Sequence, residues 1–409
     1  MKVLHFTPSV HPEKLGTSRR LTQLLLEDGN THYFAAPARP GSGAGTGWEE
    51  YANFLILRCP CRSRVGPEVP VFSRYLKAAL NSRRLAQIYP PDPPDLVHGH
   101  SPLDFAQAAR RFAREKDLSL IYEIHTLFVD EVAHRRRAGI PAGLNRAAKA
   151  LAKIREAGII RHSRRVIVQT ESLRERIVDL FSLSPELVRV IPNGIDGRVF
   201  DPAARREDRL RLRREKVWED KMVVLYSGYL DRINGVDFLL RAAAEFAEGV
   251  KKRLRLVLAG DGPLAESLRR RAAEEPDFLE FLGAVDPRDM PALYAAADVF
   301  VVPRPDTEAG QSLVPIKLLE AMAMEKVILA SDLDALSEAL GAGRFGVLFR
   351  REEAGKFRDK FEAVIERFAD FAPLGTRARA EVLARYDWDR SRKLLGELYR
   401  ELAGGGDNP

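Results

Sequence analysis

The sequence predicts an α/β protein made of two doubly wound parallel-sheet domains, and three observations lead there. The chain has 409 residues, too many for one ordinary hydrophobic core and suited to two domains of about 150 to 200 residues each. Short apolar runs of strand length alternate with helical stretches, the pattern of parallel strands joined by helical crossovers. That alternation is interrupted once, by the charged, proline-bearing stretch FDPAARREDRLRLRREKVWED, which reads as a connector.

In the first half, KVLHFTPS opens as a strand, and LGTSRRLTQLLLED follows as a loop entering a helix, with Leu21, Leu24 and Leu25 at helical spacing. THYFAAP, NFLILRC, DLVHGH, SLIYEIH and RVIVQT are the further strand-length runs. In the second half, KMVVLYSG, LRLVLAGDG, FLEFLGAV, DVFVVPR and KVILAS alternate with helices such as GVDFLLRAAAEF and PLAESLRRRAAEE. No sequence repeat of short fixed period is present, which argues against a solenoid. The expected domains are 1–200 and 201–386, followed by a last helical segment, 387–409, that holds WDRSRKLLGELYREL.

The composition, 45% hydrophobic and 30% charged, is that of a globular protein. The first apolar run, VLHF, is stopped by Thr7, Pro8 and the polar HPEK, short of a secretory signal. No uninterrupted apolar run approaches the ~18 residues of a membrane span, so a cytoplasmic location is expected. Cys59 and Cys61, in RCPCR, are too few for a zinc site and too close for an unstrained disulfide, and read as reduced thiols.

Net charge is +7, but residues 134–165 hold ten Lys or Arg against one acid, Glu156, leaving the remainder slightly acidic. Arg135, Arg136, Arg137, Arg146, Lys149 and Lys153 carry this patch, with Leu151, Ile154, Ile159 and Ile160 interleaved. Two readings stand: a solvated basic helix face, or a surface that docks on an anionic partner such as a membrane. Nucleic acid is not expected, because neither an aromatic-rich nor a helix-turn-helix signature accompanies the charge.

In open parallel sheets ligands bind beyond the carboxyl ends of the strands, so the loops there are where chemistry is sought. The glycines of GSGAGTGWEE fit neither phosphate-loop spacing and precede a strand-like run, so that segment reads as a flexible loop. SVHPEKLGTSRR is better placed, after the first strand and before a helix: Gly16 permits close backbone approach, and Thr17 and Ser18 can cap the helix. His98, His100 and His125 lie at predicted strand ends, without enough ligands for zinc, and no metal is expected. YSGYLDRINGVDFLL and LAGDGPLAESL are strand, glycine loop, helix units whose amides suit phosphate or base edges. In VPRPDTEAGQSLVPIKLLEAMA, Pro315 suits a first helical turn, which puts Glu320 in the second turn with Ile316 and Lys317 beside it.

With these segments in their order, the chain resembles the family 4 retaining nucleotide-sugar glycosyltransferases of the GT-B fold. The resemblance is carried by the Gly16 loop, DLVHGH, YEIH, VIPNGIDGRVF, SGYLDRINGVDFLLRA, LAGDGPL, YAAADVFVVPR and KLLEAMA, and runs from the first strand to YDWDRSRKLLGELY. It implies two Rossmann-like domains facing across a cleft, the last helix returning to the first domain, a nucleotide-sugar (UDP- or GDP-linked) donor on the second domain and an acceptor, lipid-linked or an envelope glycan, on the first. It also implies that Glu320 takes the donor ribose hydroxyls and His125 positions the transferred sugar. The remaining donor contacts fall on Gly16, Thr17, Gly228, Arg232, Asn234, Gly260, Gly262, Val285, Ser312, Ile316 and Lys317.

The chain departs from the common family pattern at three positions. Ser312 stands where a glutamate is usual, and Tyr229 and Asn234 stand where an Arg and a Lys usually hold the diphosphate. Arg232 and Lys317 are the candidates for replacement charge. No cofactor is expected beyond the nucleotide-sugar itself, since helix N-termini and cationic side chains can stabilise the leaving diphosphate. A GT-B protein that binds a sugar nucleotide or partner without transfer is the alternative.

Overall fold

The computed structural model describes residues 1–8, 17–25, 28–37, 48–59, 82–83, 85–130, 142–307, 310–350 and 354–404. The chain divides into two compact units, Met1–Pro192 with Trp388–Pro409, and Asn193–Asp387.

The first unit is built on an eight-stranded sheet. Its strands are β1 (Lys2–Phe6), β2 (Thr31–Pro37), β3 (Trp48–Tyr51), β4 (Phe54–Cys59), β5 (Leu96–His100), β6 (Leu120–Glu123), β7 (Arg165–Val168) and β8 (Val188–Val190). They run in the order β3-β4-β2-β1-β5-β6-β7-β8, and all neighbours are parallel except β3 and β4. The central strands β5 and β6 are buried along their whole length, as expected for a sheet covered on both faces. Strand order reverses between β1 and β5, the kind of switch point beside which ligands bind in open α/β sheets.

The second unit is a six-stranded, all-parallel sheet. It comprises β9 (Met222–Ser227), β10 (Leu254–Ala259), β11 (Leu279–Gly283), β12 (Val299–Val302), β13 (Val327–Ser331) and β14 (Val347–Phe349), in the order β11-β10-β9-β12-β13-β14. Alternate residues feed two cores: Val223, Leu225, Phe300 and Ile328 face one, and Val224, Tyr226, Val299 and Leu329 the other. The switch point here lies between β9 and β12.

The expected strands are all present, with differences around them. β8 and β14 are three residues each, too short for their periodicity to register in the sequence. The strand-like run after the glycine-rich segment is β4, and the end of that segment itself begins the short strand β3, while residues 41–47 lie outside the described residues.

The connector contains a helix, Arg206–Glu215, instead of open chain. It is docked by arginines: Arg209 and Arg213 bind the Asp298 carboxylate at 2.7 and 3.0 Å and cap the carbonyls of Ala295, Ala296 and Ala297. The boundary falls after Pro192, not after residue 200. Asn193 donates to the Val314 carbonyl, Ile195 N–H to Tyr386, and Phe200 enters the second unit's core. Pro315 caps its helix from outside, and the helix itself is Ile316–Ala323.

Candidate functional site

One face of the first sheet carries an unusual set of side chains. His5, His32, His98 and His100 are all buried, and strand pairing sets His5 of β1 directly beside His98 of β5. β6 ends in Glu123, 1% exposed, and the helix Thr17–Leu25 contributes Arg20, 3% exposed. Arg20 Nε donates to Glu123 Oε1 at 2.6 Å, and its other nitrogens donate to the carbonyls of Ile191 and Pro192. Burial alone would push the Glu123 carboxyl up, but the Arg20 guanidinium and the surrounding imidazoles hold it well below the usual carboxylate range. His98 Nε2 and His100 Nδ1 converge on Glu123 Oε2 at 3.3 and 3.2 Å.

His125 stands just beyond β6. Its backbone N–H donates to Ser101 Oγ, and its ring lies parallel to His100 with Nδ1 at 2.5 Å from the Gln169 amide nitrogen. Its Nε2 is buried and, among the described residues, has no hydrogen-bond partner. Burial lowers the imidazoles of His100 and His125 to about 4, so both are neutral near pH 7.

The second unit gathers cations at the carboxyl ends of β9 and β12. Gly228, at φ 140°, lies so close to the Lys317 ammonium that a Cβ there would collide with it. Lys317 Nζ also sits over the Tyr226 ring, 5.1 Å from its centre. Burial and the nearby Arg304 guanidinium lower the Lys317 amine to about 7, against the opposing pull of Glu320 and Asp231. Arg304 spends one nitrogen on the Leu313 carbonyl at 3.2 Å. Glu320 is 5% exposed, in the second turn of its helix. Tyr294, from the YAAAD segment, braces this corner by bonding Ser227 Oγ and the Lys317 carbonyl.

The other expected donor residues distribute unevenly. Gly260 and Gly262, both at positive φ, pack their backbones against Gly228 and Leu230. Ser312 is buried, Ile316 opens its helix, and Val285 packs on the core after β11. Arg232 is exposed, on the loop that follows β9. Asn234 bonds Asp231 through both its backbone and its amide, and Tyr229 is 56% exposed, so neither brings charge to the Lys317 corner. Gly16 lies outside the described residues, and Thr17 is described only as the first residue of its helix.

Of the basic patch, Arg135, Arg136 and Arg137 lie outside the described residues. Arg146 and Lys153 are exposed and Lys149 half-buried on the helix Ala142–Ile160, where Ile154 is 68% exposed. The patch's one acid, Glu156, turns inward to accept from Tyr122 and from Phe128 N–H.

Sequence reasoning missed Arg20, Glu123, Asp231 and Arg304. Arg20 and Glu123 are 103 residues apart, and only the sheet order, which leaves β5 alone between β1 and β6, brings the helix after β1 to the end of β6. Arg304 had a signal, since it directly follows β12 at a switch point. Two sets, His5 with His98 and His100, and His100 with Glu123 and His125, come within metal-bridging distance of one another. In the first, His5 and His100 spend their facing nitrogens on each other, 3.1 Å apart, which fits a hydrogen-bonded pair better than two ligands of one ion.

Comparison with known proteins matches residues 17–198 to a family described as Glycosyltransferase Family 4 and residues 221–367 to one described as Glycosyl transferases group 1. A D-inositol 3-phosphate glycosyltransferase of Acidothermus cellulolyticus is 27% identical over 320 residues, 75% of this chain and 67% of that protein. One from Corynebacterium aurimucosum is 24% identical over 398 residues, 95% of this chain and 89% of that protein. Among solved structures, sucrose-phosphate synthase from Thermosynechococcus elongatus superposes with a TM-score of 0.76 at 20% identity, covering 98% of this chain and 99% of that one. Anabaena HepE, solved in complex with UDP, gives 0.70 at 17% identity, covering 98% and 100%. At these identities the structural likeness speaks to the fold.

Proposed function

We propose, of a chain that belongs to the family 4 glycosyltransferases and has their GT-B architecture, that it moves a hexose from a UDP- or GDP-linked donor to its acceptor with retention of anomeric configuration. The observation that carries this reading is the Lys317 corner. A half-buried ammonium and a half-buried guanidinium sit together at the carboxyl ends of β9 and β12, only partly offset by Glu320 and Asp231, with the Ile316–Ala323 helix beginning beside them. A nucleoside diphosphate supplies the missing charge, and the same groups stabilise it as it leaves. Glu320 takes the ribose hydroxyls. His125, neutral and with Nε2 unengaged, holds a hydroxyl of the transferred sugar.

The acceptor belongs to the first unit, and the exposed cations and Ile154 of the helix Ala142–Ile160 suit an anionic membrane surface carrying a lipid-linked or envelope glycan acceptor. Each cation near such a surface contributes about 1 kcal/mol. A cytoplasmic enzyme at the inner face of the membrane fits this, and no helix among the described residues is long and apolar enough to cross one. Flotation with vesicles should recover the protein with anionic lipid and lose it at high salt; binding indifferent to both would refute the docking surface.

The donor is tested by thermal shift with UDP, GDP and ADP on the intact protein and on Glu320→Ala. One nucleotide at ~100 times its dissociation constant should add about 2.7 kcal/mol of stability, and Glu320→Ala should remove it. Stabilisation by none favours the non-catalytic reading, which the exposed Tyr229 and the internally bonded Asn234 support.

A further inference from the structure

We propose that Gln169 is a positioning residue for His125: its side-chain amide donates to Nδ1 and thereby keeps the ring's proton on Nε2, so that His125 meets its ligand as a hydrogen-bond donor. Gln169 directly follows β7, which lies beside β6 in the sheet, and this pairing brings it to His125 from 44 positions along the chain. The backbone around the pair is fixed, since Ile124 N–H donates to the Ile167 carbonyl and His125 N–H to Ser101 Oγ. Gln169 is buried, and its amide nitrogen stands 2.5 Å from His125 Nδ1. An amide N–H is a donor only, so Nδ1 receives it with a lone pair. Burial lowers the His125 imidazole to about 4, so the ring holds one proton near pH 7. With Nδ1 bare, that proton stands on Nε2.

Without this amide the ring would be drawn the other way. The charged and titratable groups facing it are Glu123, whose Oε1 lies 3.9 Å from Nδ1, the His100 ring parallel to it, and Arg20, which is bonded to Glu123. Among these described neighbours the carboxylate is the acceptor, and it lies on the Nδ1 side. Left to them, the proton would move to Nδ1 and Nε2 would become an acceptor. Gln169 thus decides what Nε2 offers. Nε2 is buried and without a partner among the described residues, and an N–H there is satisfied by an acceptor oxygen such as that of a sugar hydroxyl. This last step rests on the reading of His125 as the residue beside the transferred sugar; the tautomer does not.

Nuclear magnetic resonance of the full chain labelled with 15N-histidine tests the tautomer, with the His125 signals identified by their loss in His125→Ala. At pH 7 the wild type should show a bare Nδ1 and a protonated Nε2. In Gln169→Glu an ionised carboxylate can only accept, so Nδ1 should carry a proton. In Gln169→Met, which keeps the bulk and removes the donor, the proton should also shift toward Nδ1. A protonated Nδ1 in the wild type would overturn the proposal, and so would a bare Nδ1 in both variants; if one variant does not fold, the other decides. Turnover with saturating UDP-glucose or GDP-mannose gives a second readout. In Gln169→Glu only the imidazolium keeps an N–H on Nε2, so its activity relative to wild type should fall by up to tenfold per pH unit as pH rises through the ring's titration. Parallel profiles in the two proteins would overturn the role of Gln169 in transfer. No turnover of either donor by the wild type would tell against the transferase reading, and the spectra alone then decide the tautomer.

Discussion

The two units bury ionisable side chains in opposite ways. In the first, Arg20 donates to Glu123 through a short hydrogen bond and the His98 and His100 rings stand within 3.3 Å of the same carboxylate, so that the buried charges are paired within the unit. In the second, Lys317 and Arg304 lie together with Glu320 and Asp231 only partly offsetting them, so burial lowers both cations. The difference teaches what each is for. A network of internally paired charges holds a scaffold in place, whereas a cationic corner only partly offset is poised for an anion that is not part of the chain.

Breaking the internally paired side should have the largest effect. Glu123→Ala leaves the Arg20 guanidinium buried without its counter-charge, and chemical denaturation should show a loss of about 3 to 5 kcal/mol. Lowering the pH attacks the same network. His100 and His125 titrate at about 4 in the folded protein but near 6.5 when unfolded. The unfolded chain therefore binds more protons between those values, and stability falls as pH drops through the window. With two protons the limiting slope is about 2.7 kcal/mol per pH unit, and a flat profile from pH 6.5 to 4 would show that these rings are not buried neutral.

Smaller effects sharpen the contrast at the ligand. His125→Ala should lower turnover by about 100-fold while nucleotide affinity, read by calorimetry, stays near wild type; equal losses in both would deny it the sugar-positioning role. Lys317, free at about 7, must be charged to meet a diphosphate. Nucleotide affinity should therefore weaken above pH 7 by at most about tenfold per pH unit, and Lys317→Ala should abolish that dependence. In Lys317→Ala the unliganded protein should be no less stable, because partial desolvation and the neighbouring Arg304 disfavour the charged amine.

How much of this was legible depends on range. The helix Ile316–Ala323 was readable because Pro315, Lys317 and Glu320 lie within one short segment, and turn chemistry with helical spacing is local. The helix Arg206–Glu215 was not, because its stability comes from Asp298 and three carbonyls more than eighty residues away. Arg232 was a reasonable source of charge by sequence proximity, but the loop exposes it, and Arg304 from the next strand of the sheet stands nearer Lys317.

By itself the sequence determined the alternation of strands and helices, the glycine loops at strand ends, and the family, since all three are patterns within short windows or in their order along the chain. The tertiary structure alone decided that His5, His32, His98 and His100 share one face, that Glu123 answers Arg20, and that Arg304 joins Lys317. Sheet order places β1 between β2 and β5, and β9 beside β12, and that order comes from long-range packing that no local pattern encodes.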